Sequence, residues 1–312
     1  MSHALARRLV TGALVVAALV LTVVAVTWPH TARDAGTLLV ADLRGHALVL
    51  LDPTDPASAR RIDLPGGPHE LLPLPDGRVA VTLEQSGAIA LVDLASGEVA
   101  TVEVGGVPHG LALDGDTLLV TDRADDTIRR FALDGWRELE ALPSGAWPHA
   151  VGTLPGGDVV VAAAQDGTLT VGGTAQDSGA VTEALAVSPD GRRVAAAAAL
   201  DGVVSVYDAA GALLAQYEVG GRPVRVAFSP DGRDLAVALS AAGAVAVIRD
   251  GVVRTVAAQG VPDGLAFSPD GRILYASDVA GGSVTAVDLV RSSVSAVIAA
   301  GESAGALLVL AR

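Results

Sequence analysis

Cysteine and lysine are both absent from the 312-residue sequence. Without cysteine the chain can form no disulfide, thiolate metal site, thiol nucleophile or covalent haem attachment, so burial of apolar groups must stabilise the fold. Without lysine it can have neither a P-loop lysine nor a lysine Schiff base. These absences exclude several classes of enzyme before any motif is considered.

Positive charge is also scarce. The 21 basic residues, all of them arginine, stand against 35 acidic residues and leave a formal net charge of −14. Nucleic-acid binding draws its affinity from clustered cations that release counterions from phosphates. We therefore expect no nucleic-acid partner, and we expect a monomer whose acidic surface favours solubility and cationic partners.

The N-terminal segment contains one long apolar run. Residues 9–28 carry no charge and follow Arg7 and Arg8. At a rise of about 1.5 Å per residue, such a helix spans about 30 Å of hydrocarbon. We predict a cytoplasmic stub at 1–8, a transmembrane anchor at 9–28 and a tether at 29–35, with the rest of the chain outside the cell membrane. The alternative is a cleaved signal peptide, which would make the protein secreted.

A short phrase recurs through the rest of the chain. It reads Gly-Gly-Val-Pro-His-Gly at 105–110, and the Pro-His pair recurs every 40 residues, giving His69, His109 and His149. Later copies keep the frame but change the residue after proline, and two further copies are degenerate. A period of about 40 residues indicates a propeller or solenoid. Seven copies predict seven blades.

Each copy contains signals for four strands. In the copy that begins at His109, turn residues at 114–115, 122–126 and 134–135 separate the apolar runs. The turn after the first strand reads Ser-Pro-Asp-Gly-Arg in three copies, which is typical of a type I turn. We expect the fourth strand of the copy at 149–182 to be vestigial, because its spacing is shorter.

The two ends of the repeat region complement each other. Residues 36–64 supply three strands and residues 306–310 supply one. Pairing them in a single blade would close the ring and remove a free sheet edge. The sequence thus predicts an all-β fold, a seven-bladed β-propeller with four-stranded blades over residues 36–312.

The repeat resembles that of the YVTN β-propellers. The resemblance rests on Gly-Gly-x-Pro-His-Gly, on Ser-Pro-Asp-Gly-Arg and on the second-strand runs at 119–122 and 274–278, and it covers roughly residues 36–312. It implies the seven-bladed fold. The resemblance implies no particular reaction, since the family includes surface-layer, binding and quinone-cofactor-associated proteins.

The sequence is also similar, more distantly, to streptogramin B lyases and to lactonase propellers. Pro-His-Gly and Pro-His-Ala at the starts of first strands match at His109 and His149. In the lyases, histidine and acidic residues act with magnesium in ring opening, so this similarity implies catalytic roles for the two histidines. The chain departs from the lyases where Val107 and Trp147 replace a glutamate two residues before each histidine.

The residue after each proline should lie at the top of an innermost strand and face the central channel. Around the ring this position predicts His69, His109, His149, Glu183, Val224, Asp263 and Ala304. Nitrogen and oxygen ligands of this kind suit a divalent metal ion, so one interpretation is a metal site on His69, His109, His149, Glu183 and Asp263. The alternative is that the rings only hydrogen-bond backbone groups at the channel mouth.

Other polar residues are predicted at the same rim. Asp42, Asp122 and Asp278 end second strands and would form an outer acidic layer, with Asp122 as a candidate base. Trp147 would either stack on a ligand or pack between blades. Arg222 would either clamp a carboxylate or be solvated.

Two functions from different classes fit these patterns. The first is a membrane-anchored, extracytoplasmic binding or scaffold propeller whose top face takes a small ligand or an envelope protein. The second is a divalent-metal-assisted lactonase or lyase that acts on an ester or lactone, with a histidine or Asp122 as the base.

Overall fold

The computed structural model describes residues 36–311, which form 28 strands in seven separate sheets of four. Each sheet is a blade. Blade 1 contains β1 (Thr37–Asp42), β2 (Ala47–Asp52) and β3 (Asp55–Asp63). Blade 2 contains β4 (Leu71–Pro73), β5 (Val79–Leu83), a 3-10 turn at Glu84–Ser86, β6 (Ala88–Val92) and β7 (Val99–Glu103). Blade 3 contains β8 (Pro108–Asp114), β9 (Thr117–Asp122), β10 (Thr127–Ala132) and β11 (Glu138–Pro143).

The remaining strands follow the same antiparallel order. Blade 4 contains β12 (Pro148–Thr153), β13 (Val159–Ala163), β14 (Thr168–Val171) and β15 (Thr174–Asp177). Blade 5 contains β16 (Thr182–Val187), β17 (Arg193–Ala198), β18 (Val203–Asp208) and β19 (Leu213–Glu218). Blade 6 contains β20 (Pro223–Phe228), β21 (Asp234–Leu239), β22 (Ala244–Arg249) and β23 (Val252–Ala257). Blade 7 contains β24 (Pro262–Phe267), β25 (Ile273–Asp278), β26 (Ser283–Asp288) and β27 (Ser293–Ala299), and β28 (Ala304–Leu310) follows.

The first strands of the seven blades surround one axis. Contacts run from β4 through β8, β12, β16, β20 and β24 to β28, and β28 contacts β4 in turn. The innermost strands therefore form a closed ring, which confirms the predicted seven-bladed propeller. We call the face where the innermost strands begin the top face.

The ring closes between the two ends of the described chain, as the sequence predicts. β28 is the innermost strand of blade 1 and pairs antiparallel with β1, from Thr37 opposite Leu310 to Asp42 opposite Ala304. This pairing satisfies backbone groups that would otherwise leave two free sheet edges.

Alternation of side chains along the strands builds the core between blades. In β1, Leu38 and Val40 pack with Tyr275 of blade 7, whereas Leu39 and Ala41 pack with β5 of blade 2. Successive residues of a strand point to opposite faces of its sheet, so each blade joins both of its neighbours. The outermost strands are mostly exposed.

Two details differ from the sequence prediction. The outer strand of blade 4 is short but formed, because all four residues of β15 pair with β14. In blade 1, Ala304 pairs with Asp42 as Pro108 pairs with Asp122, so Ala304 occupies the place of the proline. The residue that faces the channel in this blade is therefore Gly305, one position later than predicted.

In each of three blades, an aspartate at the top of the second strand forms hydrogen bonds with the segment that leads into the innermost strand. In blade 3, Oδ1 of Asp122 accepts hydrogen bonds from the N–H groups of Val107 at 2.9 Å and Ala124 at 3.0 Å. Asp278 holds Val261 in the same way at 2.9 Å. Gly106 lies against the Asp122 carboxylate with a φ of 58°, so this tight approach requires glycine.

Replacing this glycine should destabilise the propeller. In Gly106→Ala, the new Cβ would overlap the Asp122 carboxylate and the residue would keep a positive φ. We expect a loss of about 2–3 kcal/mol in the free energy of unfolding, measured by urea titration. Gly77→Ala is the control, since Gly77 also has a positive φ but no atom lies within 4 Å of the position that a methyl group would take there. Equal losses in both variants would contradict the role of the close contact.

The predicted cytoplasmic stub, anchor and tether at 1–8, 9–28 and 29–35 lie outside the described residues. Within residues 36–311, no helix has the length and apolar character needed to cross a bilayer.

Candidate functional site

The three repeat histidines stack side by side at the top of the channel. His69 precedes β4, and His109 and His149 lie at the starts of β8 and β12, so three neighbouring blades bring them together. The ring centroids of His69 and His109 are 4.2 Å apart, and those of His109 and His149 are 3.8 Å apart. The spacing of 40 residues in the sequence becomes contact in space because adjacent blades repeat the same geometry.

His109 is the most buried of the three and is held in one tautomer. Its side chain is 1% exposed, and its Nδ1 lies 2.8 Å from the carbonyl oxygen of His149. A carbonyl oxygen only accepts, so Nδ1 carries the proton and Nε2 keeps its lone pair. Nε2 has no hydrogen-bond partner among the described residues and lies 3.5 Å from Oε1 of Glu84. Burial, followed by the neighbouring charges of His149 and His69, holds the pKa of His109 well below its usual value.

A glutamate and an arginine meet across the channel one residue further along the innermost strands. Glu70 of blade 2 and Arg225 of blade 6 form an ion pair, with Nη2 of Arg225 2.7 Å from Oε1 of Glu70. Their blades are three steps apart one way round the ring and four the other. Burial would raise the pKa of Glu70, but Arg225 and then His69 outweigh it and lower that pKa to about 2. Burial likewise opposes the charge of Arg225, but Glu70 and Asp263 raise its pKa.

A second ion pair lies above the histidines. Glu84 and Arg123 each follow the second strand of a blade, in blades 2 and 3, and Nη2 of Arg123 lies 2.7 Å from Oε1 of Glu84. The same glutamate oxygen lies 4.0 Å from Nε2 of His69. Trp147 covers the pair from the rim, with its ring centre 5.8 Å from Cζ of Arg123, which is a cation–π distance.

The pKa values of the remaining two histidines shift in opposite directions. Burial lowers the pKa of His69, but the contacts with Glu70 and the field of Glu84 outweigh it, so the net shift is upward. Nδ1 of His69 lies 3.7 Å from Oε1 of Glu70. Burial and then Arg225 lower the pKa of His149 to about 3. At neutral pH the site thus contains neutral imidazoles at His109 and His149.

The other residues predicted at the channel mouth are placed less centrally. Glu183 lies 3.5 Å from Nη2 of Arg222, and burial raises its pKa. Arg222 is 52% exposed. Asp263 lies 4.0 Å from Nη2 of Arg225, at the edge of the ion pair with Glu70. Trp147 is 48% exposed and stacks on Arg123, so it does not pack between blades.

The aspartates predicted as an outer acidic layer have a structural role. Asp42, Asp122 and Asp278 are buried, and their carboxylates accept backbone N–H groups of the strand entry. These carboxylates hold the backbone at the strand entry, so a binding or catalytic role for the three residues stays a prediction. In the run 122–126, Asp126 holds backbone in a similar way, since it accepts the N–H of Trp147 at 2.8 Å.

Unsatisfied polar atoms concentrate at the channel mouth. Among the described residues, seven buried side-chain atoms have no hydrogen-bond partner, and five of them belong to this site. These five are Nδ1 of His69, Oε1 of Glu70, Nε2 of His109, Nε of Arg123 and Nε of Arg225; Oε1 of Glu70 is paired in charge with Arg225 at 2.7 Å, but the contact lacks the geometry of a hydrogen bond. Buried polar groups are nearly always satisfied in folded proteins. The concentration of unsatisfied atoms at the channel mouth therefore indicates a binding site for another molecule.

Cavities elsewhere lack this property. One of about 370 Å³ lies at the bottom face between blades 5 and 6, and its arginines are already engaged: Arg193 donates to the carbonyl of Gly232 and stacks on Phe228, and Arg233 lies 3.7 Å from Asp231. Another of about 320 Å³ lies between blades 4 and 5, where Asp201 accepts the N–H of Ala180. The polar chemistry therefore favours the channel mouth over these two cavities.

Sequence reasoning missed four residues of the site. Glu70 and Arg225 stand two places after the proline, where the other blades have only glycine or alanine, so reading this second position around the ring would have found them. Gly110 shows why small residues are the rule there, since a Cβ at this position would lie 2.7 Å from the carbonyl oxygen of His149. Glu84 and Arg123 have no comparable signal, because this pair depends on the turn after each second strand.

Comparison with known proteins agrees with the fold. A WD domain, G-beta repeat matches residues 174–208, and no curated protein matches the sequence. A functionally unknown protein from Desulfotomaculum acetoxidans DSM 771 superposes with a TM-score of 0.75 at 13% identity, covering 88% of this chain and 99% of its own.

Two solved structures with named activities are also similar. A streptogramin B lyase has a TM-score of 0.66 at 14% identity, covering 78% of this chain and 91% of its own. A proposed 6-phosphogluconolactonase from Bacteroides uniformis ATCC 8492 has a TM-score of 0.71 at 15% identity, covering 86% and 98%. Likeness at such identities shows the fold and no reaction. The chain is a seven-bladed β-propeller with four-stranded blades.

Proposed function

We propose that this protein is a binding propeller whose channel mouth takes up a small polar ligand. The concentration of unsatisfied buried atoms on His69, Glu70, His109, Arg123 and Arg225 carries the proposal. Leaving such a group without a partner costs about 1–3 kcal/mol, so a ligand that satisfies several of them would gain affinity. The predicted anchor at 9–28 would place this top face outside the cell membrane.

A screen of small carboxylates, amines and divalent ions tests the proposal. A ligand present at 100 times its Kd should stabilise the purified full-length protein by about 2.7 kcal/mol, seen as a rise in Tm. The double variant Glu70→Gln, Arg225→Gln should lose most of that rise. The control is Asp76→Asn, Arg78→Gln, which removes a bottom-face ion pair of 2.6 Å. Stabilisation that is the same in both double variants would contradict a site at the channel mouth.

A specific set of ligand atoms favours a second candidate, a divalent-metal-assisted lactonase or lyase. One ligand atom from each of His69, Glu70 and His109 lies within 4.8 Å of the others. In metal sites a histidine often donates its second ring N–H to a backbone carbonyl, which is what Nδ1 of His109 does with His149. These residues fit a divalent ion, with the difference from the sequence prediction that Glu70 joins the set.

A bound ion would supply Lewis-acid polarisation of an ester or lactone carbonyl. The protein's own contribution would come from the neighbouring groups. His149 is neutral and adjacent to His109, but a pKa of about 3 makes it a weak base, so it would serve to accept a hydrogen bond from a substrate that lies on the top face. Arg225 competes with a cation for Glu70, which limits the affinity that the site can reach.

Metal binding gives a direct test of this second candidate. We expect the full-length protein to bind one Zn²⁺ and, because the pKa of His69 is raised in the free protein, to release more protons on binding than an unperturbed histidine would. His109→Ala should weaken Zn²⁺ binding by about 100-fold or more, since it removes a ligand itself. Isothermal titration calorimetry in buffers of different ionisation enthalpy measures both effects.

The control for this experiment is His46→Ala. His46 is exposed in the loop between β1 and β2, away from the three stacked histidines. It should bind Zn²⁺ as the wild type does. If His109→Ala and His46→Ala bind equally, or if the wild type binds no metal, the metal-assisted enzyme has no support.

A further inference from the structure

The donors at the channel mouth identify the chemistry of the ligand more narrowly, and this inference rests on the proposed binding function. Arg123 and Arg225 each use Nη2 to hold a glutamate at 2.7 Å. Nε of each guanidinium is buried and has no acceptor among the described residues. Each arginine therefore has a cationic donor without an acceptor in the part of the chain that the structure describes.

The two arginines belong to one continuous site. Nη2 of Arg225 contacts Oε1 of Glu70, which lies 3.7 Å from His69. His69 lies 4.0 Å from Oε1 of Glu84, and that oxygen contacts Arg123. The two guanidiniums thus lie at the two ends of one row of contacts across the channel mouth.

The carboxylates around the two arginines favour a monoanion over a dianion as the ligand. A guanidinium has a planar fork of donors that matches a carboxylate in shape and charge. Glu70, Glu84 and Asp263 lie next to the arginines, and like charges repel. A dianion such as phosphate would meet more repulsion than a monoanion. His149 adds no charge at neutral pH, because burial and then Arg225 keep its pKa low.

The rim provides a surface for the rest of the molecule. The Trp147 ring is 48% exposed and lies 5.8 Å from Cζ of Arg123. A planar group attached to the carboxylate would pack against this ring while the carboxylate reaches the guanidinium beneath it. We propose that the channel mouth binds a small monocarboxylate, whose oxygens accept hydrogen bonds from Nε of Arg123 and Nε of Arg225.

Benzoate and its neutral isostere benzamide test the proposal. Saturation-transfer NMR on the full-length protein should detect binding of benzoate and at least tenfold weaker binding of benzamide, because hydrogen bonds to a charged group are the stronger ones. Arg123→Gln should weaken benzoate binding about tenfold or more. Arg233→Gln is the matched control, since Arg233 is 81% exposed and lies on the bottom face. Equal binding of the two probes, or equal binding by the two variants, would overturn the proposal.

A conservative variant keeps the test valid if removal of Arg225 leaves Glu70 unpaired and the protein unfolds. Arg225→Lys retains a cation beside Glu70 but lacks the fork of donors. It should remain folded and still lose about tenfold in benzoate affinity. If it binds benzoate like the wild type, the fork is not used and the proposal fails.

Failure of this inference is distinct from failure of the proposed function. If benzoate does not bind, but an amine or a metal ion raises the Tm and the Glu70→Gln, Arg225→Gln variant loses that rise, the site exists and takes a different ligand. If nothing in the screen depends on these two residues, both proposals fall.

Discussion

Asp42→Ala should destabilise the propeller by about 3–5 kcal/mol, the largest effect that we expect from a single substitution. Oδ1 of Asp42 accepts the N–H groups of Glu302 and Ser303, each at 2.9 Å, and Oδ2 accepts from Arg61 at 3.1 Å. The substitution would leave several of these groups unsatisfied at a buried position. It would also release the one junction where strands from opposite ends of the described chain must meet.

Urea titrations of the full-length protein measure this loss. Asp42→Asn should cost less, about 1–2 kcal/mol, because an amide oxygen can still accept the two backbone N–H groups. Asp63→Ala is the control, since Asp63 pairs with the same Arg61 but is 85% exposed. A loss in Asp42→Ala no greater than in Asp63→Ala would show that the closure does not depend on this carboxylate.

Acid should destabilise the protein well above the range in which carboxylates titrate, by about 2–4 kcal/mol between pH 7 and pH 5. The pKa of His149 falls to about 3 in the folded state and that of His109 also lies far below normal, whereas both should be near 6.5 in the unfolded chain. The unfolded state then binds more protons, so stability is fully present above pH 6.5 and is lost as the pH falls.

His149 contributes a loss of about 2 kcal/mol at pH 5, from 1.5 pH units at about 1.4 kcal/mol each, and His109 adds a loss in the same direction. His69 acts in the opposite direction, because its pKa is raised and it gains stability in acid. Glu70 adds a second loss at lower pH, between about 4.5 and its folded pKa of about 2. Urea titrations from pH 7 to pH 2 would show both steps.

His149→Gln separates the histidine contribution from general acid effects. It should remove about 2 kcal/mol of the difference in stability between pH 7 and pH 5, since glutamine does not titrate. His46→Gln, on the exposed loop of blade 1, should keep the wild-type pH dependence. The same pH dependence in both variants would place the titrating groups elsewhere.

The repeat made most of the fold predictable. The turn after each first strand explains why: in Ser-Pro-Asp-Gly, Oγ of Ser229 donates to Asp231 at 2.7 Å and accepts from the N–H of Asp234 at 2.9 Å. Local chemistry of this kind fixes a turn wherever it occurs. Position in the period also overrode helix propensity for the alanine-rich run that forms β17, because the run follows a Ser-Pro-Asp-Gly turn and so becomes a second strand.

Residues outside the repeat rule were harder to place. Blade 1 has no proline before its innermost strand, and the predicted channel residue there was wrong by one position. The sequence predicts an outer acidic layer at Asp42, Asp122 and Asp278, because it shows where each second strand ends. It does not show which backbone N–H groups the last side chain of the strand can reach.

The sequence by itself determined the number of blades, the closure of the ring and the convergence of three histidines, because all three follow from a regular period. Only the tertiary structure decided what those histidines meet. Glu70 and Arg225 are 155 positions apart, in copies that differ from the repeat at that place, and their contact arises because the ring brings nearly opposite blades within the length of two side chains. A period specifies the backbone of each blade, whereas the charges that cross the channel depend on which irregular residues face one another.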